Sequence, residues 1–217
     1  MENSFINISG NIASGATTLS RALSKILGWV ILEDTSPLHN RFLPKFYEDP
    51  NRWAFHNQVN FLVEGFSQNE IGKRLEKDVC IDYTIYEHNE VYASAFADLG
   101  FLTGAELDTL TKLFNLLSPE IRKPDLLIYV KAGLDTLRQR IAQRGRMFES
   151  RISSDYLRTL QRRFDTMISE WTVSPVLQVD SEANNFFNRE VISEIASKVQ
   201  HLLSRGNESK PAAIRKR

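Results

Sequence analysis

The sequence predicts an α/β fold in which a five-stranded parallel sheet carries helices on both faces. Short runs rich in Val, Ile and Leu recur along the 217 residues, as in strands that are buried on both faces. Stretches with helical spacing of apolar residues separate these runs, and this alternation is typical of parallel sheets. Strands are expected at 4–8, 29–33, 79–82, 126–130 and 176–179.

The helices are predicted from the spacing of apolar residues and from their start signals. Thr103-Gly104-Ala105-Glu106 has the pattern of a capping box, and Asp49-Pro50-Asn51 marks the start of a long helix. The pattern indicates one domain over 1–204 and a disordered tail over 205–217, which is basic and poor in apolar residues. Helices are expected near 17–27, 52–76, 87–98, 103–117, 134–144, 155–171 and 186–203.

Composition narrows the class of protein. Lys and Arg together number 27, as do Asp and Glu, so the net charge gives no support for a nucleic acid polymer or a membrane as partner. The lone cysteine, Cys80, excludes a disulfide-built secreted fold and favours a reducing compartment. No run approaches 18 apolar residues, and the N-terminus lacks a signal-peptide pattern. We therefore expect a cytoplasmic protein.

The first strand leads into a phosphate-binding loop that lacks its lysine. A strand, a GxxxxGK[ST] loop and a helix form a P-loop, whose backbone N–H groups hold phosphates at a helix N-terminus. Ala16 stands where the lysine is expected to reach the phosphates. The predicted loop comprises Gly10, Asn11, Ile12, Ala13, Ser14, Gly15, Ala16, Thr17 and Thr18.

Two acidic residues also follow strands directly. Glu33 comes after the second predicted strand, and Asp82 ends the third. Ligands of parallel sheets bind beyond the carboxyl ends of the strands, so these carboxylates and the Gly10 loop are expected to face one crevice. Each of them could also be an ordinary acid at a strand end.

Further motifs follow in a fixed order, and together they resemble the deoxynucleoside kinases of the deoxyguanosine, deoxyadenosine and deoxycytidine type. The resemblance covers roughly residues 4–180, and its most specific parts are the FYxDPxRWAF segment and the Arg-Gly-Arg-x-x-Glu segment. Besides the Gly10 loop, the matching segments are 32–34, 46–55, Gln58, 82–87, 124–129 and 140–149.

The resemblance implies a P-loop kinase fold and a reaction in which ATP, with Mg²⁺, phosphorylates the 5′-hydroxyl of a deoxynucleoside. Glu33 matches the general base that accepts the hydroxyl proton. Tyr47 and Glu149 match the pair that holds the sugar 3′-hydroxyl, and Gln58 matches the amide that pairs with the base edge. Gln58 also lies on the apolar side of its helix, where an unpaired amide is costly, so a ligand or a buried partner is expected.

The resemblance also implies an arginine-rich lid and a magnesium site. Arg140, Arg144 and Arg146 match the arginines of the mobile lid over the ATP phosphates, although a basic surface helix is the simpler alternative. Guanidinium groups there would stabilise the charge that develops on the transferring phosphoryl group. Thr17 and Asp82 match the hydroxyl and the carboxylate that hold Mg²⁺.

Four departures from the family pattern cluster in this predicted site. Ala16 replaces the lysine, and Ala13 replaces a loop glycine as well. Tyr83 stands where the family has an arginine that contacts the base carboxylate and the phosphates. Gly65 replaces an arginine that points toward the nucleoside base, and His88 replaces an aspartate or similar polar residue. The substrate site is expected to include both Tyr83 and His88.

These departures leave two main functions open, besides a third in which the fold is kept but the reaction or the phosphate donor differs. The first is a nucleoside kinase whose phosphoryl transfer is impaired or altered by the loss of the lysine and the inner arginine. The alternative is a catalytically inactive pseudokinase that serves as a ligand-binding or structural subunit. Arg21 and Lys25 are poor substitutes for the lost cations, since they lie more than a turn past the loop.

The resemblance further implies a homodimer formed through helices like 52–76 and 87–98. An apolar stripe on the second of these helices fits such an interface and fits the protein core equally well. The stripe comprises Val91, Tyr92, Phe96 and Leu99.

Overall fold

The computed structural model describes residues 3–35 and 39–208, and it confirms the predicted parallel sheet. The strands pair in the order β2-β3-β1-β4-β5, and every pairing is parallel. All five lie where the sequence predicts them. Their bounds are β1 Phe5–Gly10, β2 Val30–Leu32, β3 Val79–Ile81, β4 Leu126–Lys131 and β5 Val176–Asp180.

Helices connect the strands and flank the sheet. Short 3₁₀-helices at Ser118–Glu120 and Met147–Arg151 follow two of these helices. The α-helices are α1 Ala16–Leu27, α2 Leu43–Glu48, α3 Pro50–Arg74, α4 Ile85–Glu87, α5 Ser94–Asp98, α6 Gly104–Leu117, α7 Leu134–Arg144, α8 Ser154–Glu170 and α9 Arg189–Glu208.

The structure differs from the sequence prediction at several helix ends. The predicted helix 87–98 is α4 and α5 joined by a π-helical segment, His88–Ala93. The short helix α2 was not predicted, and it places Tyr47 on a helix. The final helix starts at Arg189 and extends to Glu208, four residues into the predicted tail. Residues 209–217 lie outside the described part of the chain.

The sheet separates two apolar cores, as expected for helices on both faces. Successive residues of β4 alternate between them. Ile128 belongs to the core under α1 and α9, whereas Tyr129 packs against Phe164 of α8 with ring centroids 5.9 Å apart. Val91 and Phe96 of the predicted stripe are buried in the core on the Tyr129 side. Within the described ranges, no helix is long and apolar enough to cross a membrane.

A buried carboxyl group links β1 to the start of α4. Glu87 accepts hydrogen bonds from the Ser9 hydroxyl and, at 3.4 Å, from the backbone N–H of Thr84. Thr84 in turn accepts from the N–H of Tyr86, which completes a capping box. Burial raises the pKa of Glu87 to about 8. The carboxyl group is therefore largely protonated at neutral pH.

We predict that Glu87→Gln flattens the pH dependence of stability between pH 6.5 and 8. A carboxyl whose pKa is raised by folding stabilises the fold at low pH and loses that contribution as the pH rises through about 8. Its share of the slope is at most about 1.4 kcal/mol per pH unit. Urea unfolding at several pH values measures the slope.

Glu76→Gln is the matched control, because this exposed side chain loses the same charge at the surface. An unchanged slope in Glu87→Gln, equal to that of the control, would contradict the assignment of a raised pKa to Glu87.

Candidate functional site

A cavity of about 800 Å³ lies at the carboxyl ends of the strands. Its wall includes the loop after β1, the residues after β3, and parts of α2, α3 and the segment after α7. Every residue of the predicted site lines this cavity except Glu33. The sheet thus brings together groups that are far apart in the sequence.

The loop from Gly10 to Gly15 has the geometry of an anion cradle. A Cβ at Gly10 would lie 2.5 Å from the Val130 carbonyl oxygen, so only glycine allows β1 and β4 to approach so closely. Gly15, with φ of 105°, is the N-cap of α1 and has no side chain to accept from the first helical N–H groups. Those donors point to where a phosphate would bind.

Ala13 carries backbone strain in this loop. Its φ of 63° is the only positive value of a non-glycine residue within the described ranges. The left-handed region costs an alanine roughly 1–2 kcal/mol. The loop keeps its bend although the usual glycine is missing.

Arg140 fastens the loop to the segment after β5. Its Nη1 donates to the carbonyl of Ser14 at 2.7 Å and to the hydroxyl of Ser181 at 2.8 Å, and its Nη2 donates to the Ser181 carbonyl at 3.1 Å. The sequence predicted Arg140 as a phosphate contact. In this structure the guanidinium group instead donates to the carbonyl oxygen of Ser14 in the loop and to the hydroxyl and carbonyl oxygens of Ser181.

The other two arginines predicted to form a lid converge on one buried carboxylate. Arg144 donates to Glu149 through Nε at 3.0 Å and forms an ion pair through Nη2 at 2.8 Å, while Arg146 donates at 3.1 Å. Gly145, with φ of 65°, ends α7 and turns the chain between the two arginines. Glu149 is 4% exposed, so this pairing compensates for a desolvated charge.

Tyr47 lies close to the same carboxylate. Its ring stacks on Phe148 at 5.7 Å, and its pKa is raised by burial first and then by the charge of Glu149. The phenol therefore stays protonated and can donate a hydrogen bond. The predicted Tyr47–Glu149 pair does come together in the cavity wall.

The deep apolar end of the cavity holds polar atoms without partners. Gln58 is 1% exposed, and within the described residues neither its amide nitrogen nor its amide oxygen has a hydrogen-bond partner. Nδ1 of His88 is equally unpartnered, and burial lowers the pKa of that imidazole to about 3. Phe61 stacks on the His88 ring at 4.9 Å. Unsatisfied buried amides are costly, so a polar ligand that pairs with this amide would relieve that cost.

Two of the departures from the family pattern, Gly65 and His88, lie in contact and act as a single structural change. A Cβ at Gly65 would lie 3.4 Å from Cδ2 of His88 and 3.2 Å from Cγ1 of Ile85. The backbone of α3 therefore packs directly against the imidazole ring. An arginine at position 65 would displace His88. The two replacements leave a neutral wall where the family pattern has an arginine and an acidic or similar polar group.

Tyr83 fills the position of the inner arginine with an apolar contact. It is buried in a cluster with Phe5, Val79 and Ile81, and its ring lies 5.3 Å from that of His88. Its backbone carbonyl accepts from Nδ2 of Asn7 at 2.6 Å. Tyr83 therefore brings no positive charge to the cavity.

Thr17 and Asp82 lie together at the phosphate-loop end. Burial raises the pKa of the Asp82 carboxyl to about 7, although the nearby Thr17 hydroxyl acts to lower it. Oδ1 of Asp82 has no partner within the described residues. No group of three or more His, Cys, Asp or Glu side chains suited to a metal occurs in those residues. One carboxylate and a hydroxyl fit Mg²⁺, which usually completes its shell with phosphates and water.

Glu33 is outside the cavity wall and is paired with Arg21. The guanidinium group of Arg21 donates through Nε and Nη2 to the two carboxylate oxygens, both at 2.6 Å. The hydrogen bond from Arg21 lowers the pKa of Glu33. Arg21 itself lines the cavity, as does Asp34 beside Glu33. Arg21 therefore reaches the cavity although it lies more than a turn past the loop, the reason for which it was expected to be a poor substitute for the lost cations.

Sequence reasoning also missed the segment after β5. Ser181, Phe186 and Phe187 line the cavity, and a Cβ at Gly15 would meet the Phe186 ring at 3.2 Å. A helix was predicted from residue 186 onward, and that prediction gave no sign that Phe186 packs against the loop. The useful signal was the pair of adjacent phenylalanines ahead of a helix start.

Comparison with known proteins agrees with this geometry. The sequence model of the deoxynucleoside kinase family matches residues 6–204. The chain is 34% identical over 204 residues to a deoxyadenosine/deoxycytidine kinase of Bacillus subtilis (90% of this chain, 93% of that protein). It is 32% identical over 208 residues to a deoxyguanosine kinase of the same organism (92% and 97%).

The fold matches solved structures of similar proteins. A deoxyadenosine kinase from M. mycoides with bound dATP superimposes with a TM-score of 0.80 at 25% identity, covering 90% of this chain and 98% of that one. The same kinase with dCMP as product gives the same values. The chain belongs to the deoxynucleoside kinase family.

Proposed function

We propose that this protein transfers the γ-phosphoryl group of ATP to the 5′-hydroxyl of a deoxynucleoside. The unpartnered amide of Gln58 carries this proposal, because it lies in the cavity that also contains the phosphate loop. A base edge supplies the donor and the acceptor that the amide lacks. One cavity thus offers sites for both substrates of the transfer.

The nucleoside end would use three side chains. Gln58 would pair with the base, and Tyr47 and Glu149 would hold the sugar 3′-hydroxyl. A carboxylate has about four lone-pair sites, so Glu149 can accept from the sugar while keeping its arginine partners. His88 is neutral and would contact the base without a charge.

At the other end, the loop N–H groups would hold the triphosphate. The O5′ atom attacks the γ-phosphorus, the bond to the β-bridging oxygen breaks, and ADP leaves, while Glu33 accepts the hydroxyl proton. Thr17 and Asp82 would hold Mg²⁺, which neutralises phosphate charge when bound. Arg144 and Arg146 would stabilise the charge on the transferring group.

The loss of the loop lysine sets the expected rate. Removing one preorganised charge-stabilising donor costs about 10²–10³ in turnover. Ala16 and Tyr83 both withhold such a donor, so the proposed kinase is slow compared with a lysine-bearing relative. The same two residues favour the second candidate function, a ligand-binding or structural module without turnover.

Two further expectations accompany the proposed function. A cytoplasmic location is proposed because the lone cysteine is buried and reduced. A homodimer is proposed through α3, which exposes Val63 (53%) and Ile71 (49%). Such apolar side chains on one helix are suited to a second copy of the chain.

Incubation with Mg-ATP and each deoxynucleoside is expected to yield the 5′-monophosphate, measured by chromatography. Glu33→Gln is expected to lower the rate by about 10²-fold or more, because the general base is removed. Asp34→Asn is the matched comparison, since it removes the same charge from the next residue, which lines the cavity. Absence of product from the unmodified protein would reject the kinase and favour the inactive module.

Gln58→Leu is expected to weaken deoxynucleoside binding roughly a hundredfold, because two hydrogen bonds of about 1.5 kcal/mol each are lost. Calorimetry without ATP measures this affinity for an active or an inactive protein alike. Gln68→Leu is the control, since it makes the same change on α3 outside the cavity. Equal affinities in the two variants would contradict the base site.

Ala16→Lys is expected to strengthen Mg-ATP binding at least tenfold and to raise turnover, because it restores the cation of the loop. Lys25→Ala, further along α1, should change neither value. If Ala16→Lys binds Mg-ATP no better than the unmodified protein, the loop does not hold the triphosphate as proposed.

A further inference from the structure

We propose that Arg21 replaces the cations lost at positions 16 and 83, positioning Glu33 and contacting the transferred phosphoryl group. This inference rests on the proposed function. It assigns to the first helix a charge that the family pattern places after β3.

The first support is the geometry of the ion pair. Arg21 holds both oxygens of Glu33 at 2.6 Å, which fixes the direction of the carboxylate. The family pattern gives this contact to the arginine that Tyr83 replaces. The pair also keeps Glu33 ionised, since the hydrogen bond from Arg21 lowers the pKa of the carboxyl.

The second support is the place of Arg21 on α1. It follows Thr17 by four residues and therefore lies on the same helix face. Thr17, Arg21 and Asp82 all line the cavity, and the charges of Arg21 and the Asp82 carboxylate attract each other. The guanidinium group is thus directed to the end of the cavity where the triphosphate would meet the magnesium ligands.

The third support comes from the other cations of the cavity. In the described part of the chain, the arginines that line it are Arg21, Arg140, Arg144 and Arg146. Arg140 binds loop and Ser181 oxygens, and Arg144 and Arg146 both bind Glu149. Arg21 uses two of its five N–H donors for the bonds to Glu33, and its side chain is 63% exposed. The other N–H groups therefore remain available to donate to phosphoryl oxygens.

The test compares Arg21→Ala, Arg21→Lys and the control Lys25→Ala in steady-state kinetics. Arg21→Ala is expected to lower kcat by about 10²–10³ with the nucleoside KM unchanged, because the lost contacts are to Glu33 and the phosphoryl group and not to the nucleoside. Arg21→Lys should recover part of the loss, since lysine keeps the charge without the bidentate contact. Lys25→Ala should match the unmodified protein. An unchanged kcat in Arg21→Ala would overturn the proposal.

A second test asks whether an arginine at position 83 restores the kcat that Arg21→Ala loses. Tyr83→Arg in the Arg21→Ala background is expected to restore kcat at least tenfold, provided that thermal unfolding shows a folded protein. No recovery in a folded double variant would overturn the proposal. If that variant does not fold, Arg21→Lys decides, and a kcat equal to that of Arg21→Ala would overturn it.

Calorimetry with Mg-ATP separates this inference from the proposed function. If the unmodified protein phosphorylates no deoxynucleoside, the kinase proposal fails, while the charge of Arg21 is still measurable. Arg21→Ala should then bind Mg-ATP at least tenfold more weakly than Lys25→Ala. Equal affinities would overturn the role of Arg21 at the phosphates.

Discussion

Parallel pairing of β1 with β3 on one side and β4 on the other is the constraint on which the site depends. It brings the end of β1 to the same edge as Asp82 and requires a glycine at position 10, beside the Val130 carbonyl. The loop can then turn sharply into α1 and present its N–H groups at the helix start. Without this register, neither the anion cradle nor the carboxylate beside it would face the cavity.

The two ends of the cavity differ in their electrostatics. At the base end, Gly65 and His88 form a neutral wall around the unpartnered amide of Gln58. At the phosphate end, arginines surround the loop, but each is bound to an oxygen of the protein itself. A triphosphate there would be contacted by N–H groups that these bonds leave over, and the exposed Arg21 is better placed to supply them than the half-buried Arg140.

Much of this arrangement could be predicted from the sequence, because it depends on local signals. Runs of Val, Ile and Leu give the strands, and Gly10 and Gly15 give the loop. The partners of charged side chains were harder to predict, since they depend on how the helices and strands pack. Arg21 lies far along α1, and only the packing of α1 beside β2 sets it against Glu33. The contact of Gly65 with His88 likewise joins two helices that the sequence treats separately.

We propose that one cavity holds the deoxynucleoside and the triphosphate together, and a crystal structure with both bound would show whether it does. A deoxynucleoside, Mg²⁺ and a non-hydrolysable ATP analogue would be used. We expect the base edge about 3 Å from the Gln58 amide, and the triphosphate on the N–H groups of the Gly10 to Gly15 loop. A deoxynucleoside away from Gln58, or a triphosphate away from this loop, would contradict it.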